Sequence, residues 1–124
     1  MPQIFSVYQI VIDKDLSDLI NKEGHNCHVK SKARMQAMLE GDVRLGVMHD
    51  CYTKVAEVVA DDLEHVFEVG NIGPEDRITR LEKMTSISVG DIIADADGVC
   101  SVVNNVGFTP LAPSFHKMVL KEAA

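Results

Sequence analysis

At 124 residues, the chain has the length of one ordinary domain and can bury a core without disulfide or metal staples. A content of 46% hydrophobic and 25% charged residues excludes a disordered polymer. The formal net charge of −7 repels phosphate, and a tryptophan-free chain with 5% aromatics offers few stacking platforms, so direct nucleic-acid binding is not expected.

No apolar run approaches the ~20 residues that span a bilayer, so no membrane partner is expected. The opening MPQIFSVYQIVIDKD lacks a basic region and a small-residue cleavage site, and reads as structure rather than as a signal peptide. Cys27, Cys51 and Cys100 are an odd, scattered set. Without a secretory signal they point to a cytoplasmic location, each thiol acting as a small buried hydrophobe.

In chain order, residues 3–12 are apolar on both alternating faces, which predicts a central strand covered on both sides. Asp13 or Asp15 is placed to cap a helix carrying Leu16, Leu19 and Ile20, with Gly24 as its stop. A second helix is expected over about 29–40. Ala33, Met35, Met38 and Leu39 are its predicted buried positions, and Gly41 ends it. Residues 42–50 give no clear signal. Residues 52–59 read as a strand packing Tyr52 and the valines.

Asp61 or Asp62 then caps a short helix with Leu63, Val66 and Phe67 predicted inside, closed at Gly70. Pro74 followed by Glu75 and Asp76 predicts a further helix start, with Ile78 and Leu81 as its apolar contacts. Ile92–Ala94 and Val99–Val103 are expected to pair as a hairpin around Asp95–Gly98, with Val106–Thr109 as a third strand. Pro110 and Pro113 are expected to interrupt pairing, and 114–124 to form a loose helix or fray. The expected class is α+β, one domain over 1–124: an N-terminal strand, several short helices and a C-terminal antiparallel β meander.

Residues 55–69, VAEVVADDLEHVFEV, the turn GNIGPED, and SISVGDIIADADGVCSVVNNVGF resemble the YodL-like domain. The pattern rests on Asp62, Leu63, Val66 and Phe67, then Ser86, Ser88, Val89, Gly90 and Asp91, then Gly107 and Phe108. The likeness covers roughly the second half of the chain. It implies a small protein of bacteriophages or other mobile elements, acting in the host cytoplasm. It transfers no catalytic residue.

Candidate chemistries are few. His25, Cys27 and His28 form one cluster and His49 with Cys51 another; together they number enough ligands for zinc. Neither cluster has zinc-site spacing, and the residues read more simply as a polar loop and a strand entry. A Cys–His nucleophile would need an oxyanion hole and a base orienter, and none is marked. Asp95-Ala-Asp-Gly98 lacks the further ligands of a calcium loop and reads as a turn. No phosphate-cradling glycine loop occurs. No cofactor, metal site or catalytic residue is therefore expected, and the enzyme question leans to no.

The remaining signal is charge segregation. Residues 55–100 carry eleven acids against three bases, whereas 24–54 carry five bases and three acids. Asp61, Asp62, Glu64, His65 and Glu68 fall away from the helix's apolar side, as the solvated face of any amphipathic helix would. As a functional surface they would dock a basic partner, a host or phage protein. The leading expectation is thus a non-enzymatic accessory protein that binds another protein. The alternatives are an acidic DNA-mimic inhibitor and a small zinc-binding or Cys-dependent enzyme. Unpaired meander edges would also allow a homodimer.

Overall fold

A computed structural model describes residues 3–24, 28–49, 51–82, 84–104, 107–111 and 119. Among these residues, six strands form one antiparallel sheet: β1 (Gln3–Ile10), β2 (Tyr52–Ala60), β3 (Ile78–Arg80), β4 (Ile92–Ala94), β5 (Cys100–Val103) and β6 (Phe108–Pro110). Their order across the sheet is β3-β2-β1-β4-β5-β6. Among the described residues, four helices accompany them: α1 (Lys14–Glu23), α2 (Val29–Glu40), α3 (Arg44–Met48) and α4 (Leu63–Asn71). The chain is α+β, and β4–β5–β6 is the expected C-terminal meander.

β1 is central because its two faces serve two cores. Tyr8 and Ile10 join Ala33 and Ala37 of α2, Val43 and Val47 around α3, and Ile92 and Val102 on one side. Phe5 and Val7 join Val66 and Val69 of α4, Ile87 and Ile93 on the other. One irregularity shifts the pattern. Val7 opposes Ala56 but Tyr8 opposes Lys54, so Val55 is an extra residue in β2. This bulge turns Val55 and Ala56 into the same core. The Val55 carbonyl then accepts from the Leu81 and Glu82 amides, at 2.9 and 3.2 Å.

Local chemistry sets most boundaries as expected. Asp13 caps α1 by accepting from Leu16 N at 2.8 Å, and Gly41 closes α2 in the left-handed region at φ 67°. In the hairpin loop, Asp95 Oδ1 accepts from the Asp97 and Val99 amides at 2.9 and 3.0 Å. Its carboxylate thus serves its own turn.

Four expectations are corrected. Met35 is only half-buried, and Met38 and Leu39 face outward, Leu39 with 72% exposure; Ser31, Ala33 and Ala37 are buried instead. Small residues one turn apart let α2 lie close to the sheet, which rotates the bulkier residues off the contact. Phe67 likewise sits on the flank of α4, because Val66 and Val69 take the inward positions. The segment after Pro74 makes a single 3-10 turn, Glu75–Arg77, and then pairs as β3 with β2, Ile78 opposite Val58. Cross-strand pairing there overrides the local helix signals, and Leu81 stays exposed. Val99 lies outside the hairpin pairing, in the loop before β5. The segment without clear signal contains α3. Pro110 ends the terminal strand β6, opposite Ser101, where a missing amide is tolerated. Pro113 and the expected C-terminal helix lie outside the described residues, apart from Val119, which is buried in the core beside α2.

Candidate functional site

The acidic helix builds its own start. Asp62 caps α4 by accepting from His65 N at 2.8 Å, and His65 Nδ1 accepts from Asp61 N at 3.0 Å. With Nδ1 acting as an acceptor, the Asp61 carboxylate 3.6 Å away meets no proton on that atom. Asp61, Asp62 and His65 therefore have a capping role of their own. Glu64 and Glu68 are exposed and lie one helical turn apart, on a side of the helix shared with neither buried valine.

Phe67 lies nearly one turn after Glu64, with 39% of its surface exposed. It forms one wall of a groove of about 230 Å³ between α4 and the β5–β6 hairpin. Glu64, Val103, Asn104, Gly107 and Phe108 complete the lining. The Asn104 side chain holds the far wall by donating to Thr109 Oγ1, and Asn104 N donates to Gly107 O at 3.0 Å. Apolar walls with a carboxylate at the rim suit an apolar side chain followed by a cation. The sequence marked the carboxylates; it missed the groove, because Phe67 was assigned to the core.

The proposed metal residues have separate tasks where they are described. His28 caps α2, its Nδ1 accepting from Lys30 N at 3.0 Å. His49 is exposed at the end of α3, and Cys51 is buried with Sγ 3.8 Å from the His49 carbonyl. His25 and Cys27 lie outside the described residues. Among the described residues, no three His, Cys, Asp or Glu side chains gather as a metal site.

A second polar cluster went unmarked. Gln9 of β1 is buried and donates from Nε2 to Thr85 O and to Asp91 Oδ2, both at 3.0 Å. Its Oε1 accepts from Thr85 N at 3.1 Å. Asp91 Oδ2 also accepts from Ser88 N at 3.0 Å, closing the Ser88–Asp91 turn with Gly90 at φ 94°. Burial pushes the Asp91 carboxyl up to about 6, against the pull of the Ser88 amide, Gln9 and Arg34. Tyr52 fixes the same turn by donating its hydroxyl to Gly90 O at 2.5 Å; burial drives its own pKa upward. A glutamine between Tyr8 and Ile10, in the most apolar part of the strand, is the available signal.

No helix among the described residues is long and apolar enough to cross a membrane. No protein-family model, curated protein or solved structure matches the chain.

Proposed function

We propose that the chain is a non-enzymatic accessory protein of phage or mobile-element type that acts in the cytoplasm by binding a host or phage protein. The groove beside α4 is the docking surface in this reading. The mobile-element origin rests on the YodL-like resemblance of residues 55–69 and 86–108. The mode of action rests on one observation: the part-exposed Phe67 ring forms a groove wall with the Glu64 carboxylate on the same groove, and exposed Glu68 follows one turn along the helix from Glu64. A fitting partner segment presents an apolar side chain for the groove and Lys or Arg beside it for the carboxylates. DNA mimicry is a weaker fit. Glu64 and Glu68 are spaced roughly 6 Å along the helix, whereas duplex DNA presents about one charge per 1.7 Å.

Photocrosslinking tests this reading. A benzoylphenylalanine at position 67 should capture a basic protein in cells that carry the chain, and the same group at exposed Met48 should not. The adduct should fall several-fold when Glu64 and Glu68 are both changed to Lys. An adduct equal at both positions, or one indifferent to charge reversal, would overturn the proposal, as would no adduct at position 67.

A further inference from the structure

We propose that the groove between α1 and α2 binds a small amphipathic anion, a medium-chain carboxylate, with its head on the Arg34 guanidinium and its chain along Ile12, Ile20, Met35 and Met38. This groove lies over the core that contains α2, across the sheet from α4, and does not depend on the protein-docking reading.

Three observations carry the inference. First, α1 is amphipathic, yet none of its residues is fully buried, and Leu19 keeps 38% of its surface exposed. A helix whose apolar side meets no close packing stands over a space rather than on a core. That space is a groove of about 300 Å³, at the lower end of the range for small-molecule sites.

Second, the lining has the chemistry of an alkyl site. Ile12, Ile20, Met35 and Met38 supply most of its wall, with Ser17, Asn21 and Ser31 as the polar remainder. Methionine side chains are unbranched and polarizable, so they adapt to a chain of variable length.

Third, a cation lines the groove. Arg34 lines this groove and also two smaller depressions over Gln9 and Thr85. Its guanidinium makes no direct hydrogen bond or ion pair with another described residue. The planar fork of arginine matches a carboxylate with two parallel hydrogen bonds. Lys30 adds positive charge nearby, its ammonium 3.4 Å from the Val11 carbonyl. The acid whose charge reaches Arg34 is Asp91, which Gln9 and Ser88 already engage. Asp91 makes no direct bond to the guanidinium among the described residues, so it does not occupy the donors that a ligand carboxylate would use.

Decanoate below its micelle concentration is the probe, read by NMR of methionine methyl groups. Saturable shifts are expected at Met35 and Met38 and not at exposed Met48, which does not line the groove. Arg34→Gln should weaken decanoate binding about ten-fold, the usual scale for a lost charged hydrogen bond. Decanol should bind weakly, and equally to both proteins. Ser17→Trp changes an exposed residue and fills the groove, so it should abolish the shifts while the spectrum stays folded. The proposal is overturned by parallel shifts at Met48, by absent shifts at Met35 and Met38, by equal decanoate affinity in Arg34→Gln, or by undiminished binding in Ser17→Trp.

Discussion

The side-chain amide of Gln9 pairs with the backbone of Thr85 in both directions, Nε2 to O at 3.0 Å and N to Oε1 at 3.1 Å. Asn71 does the same two residues on: its Nδ2 donates to Ile87 O at 3.0 Å and its Oδ1 accepts from Ile87 N at 2.6 Å. Each amide thus presents the donor and acceptor that a neighbouring strand would offer. Together they hold the irregular segment that delivers Ile87 to the core.

Replacing Gln9 by Leu keeps its bulk and removes these bonds, leaving the Thr85 amide and the Asp91 carboxylate short of partners. We expect a loss on the order of 2 kcal/mol in urea unfolding. A loss below about half a kcal/mol would show that water replaces the amide, and the clamp would then be incidental.

Close backbone approach makes a second prediction. A Cβ on Gly90 would lie 2.7 Å from Ala37 Cβ and 2.9 Å from the Ala37 carbonyl carbon, at a φ of +94°. Gly90→Ala should therefore cost about 2 kcal/mol or more. At Gly70 the added Cβ would lie 2.3 Å from Ile87 Cδ1, the end of a flexible side chain. Ile87→Val removes that atom, so the double variant should lose less stability than the two single losses added together. Strict additivity would contradict this packing.

Asp91 predicts a pH dependence. Its folded pKa is raised to about 6, above the ordinary value of 3.8. Between those values the folded chain binds more proton than the unfolded chain, so this group's contribution is largest in acid. It declines as pH rises from about 4 through 6. Asp91→Asn keeps an oxygen acceptor and no charge. It should flatten this part of the stability profile and raise stability at pH 7 by roughly 2 kcal/mol. Urea unfolding at closely spaced pH values checks it; an unchanged slope in the variant would assign the dependence elsewhere.

The acidic helix separates folding from binding. Asp62→Ala removes a cap and should cost about 1 kcal/mol of stability. Glu68→Ala changes an exposed position and should cost well under 1 kcal/mol while lowering the adduct from the probe at position 67. Phe67→Ser removes a ring that keeps 39% of its surface exposed; it should cost about 1–2 kcal/mol, less than a core truncation, and should compete poorly against the probe-bearing protein for the partner. Thermal melts beside the crosslinking yield distinguish the two roles. If Phe67→Ser melts as early as a core truncation, the ring belongs to the fold and not to a docking surface.

Features that close within one turn of chain are legible in the residues alone. Asp13 and Asp62 cap α1 and α4, Gly41 stops α2, and Asp95 closes the hairpin loop, each through bonds spanning four residues or fewer. Apolar content on both faces placed β1 in the middle of the sheet, because every central strand needs two covered sides. The α+β class followed from the same local patterns.

The other features depend on contacts between segments far apart in the chain. Glu75–Arg80 carries helix-start chemistry, yet Ile78 pairs with Val58 and becomes part of β3, since a strand partner twenty residues away offers more than one turn of helix. The small Ala33 and Ala37 set how α2 rotates, and so opened Met35 and Met38 to a groove. Phe67 lost the inner position to Val66 and Val69 and became a groove wall. The Gln9 cluster joins residues 76 and 82 positions apart. A hydrogen bond across that separation leaves no periodic trace, because its geometry is set by the fold that brings the two segments together.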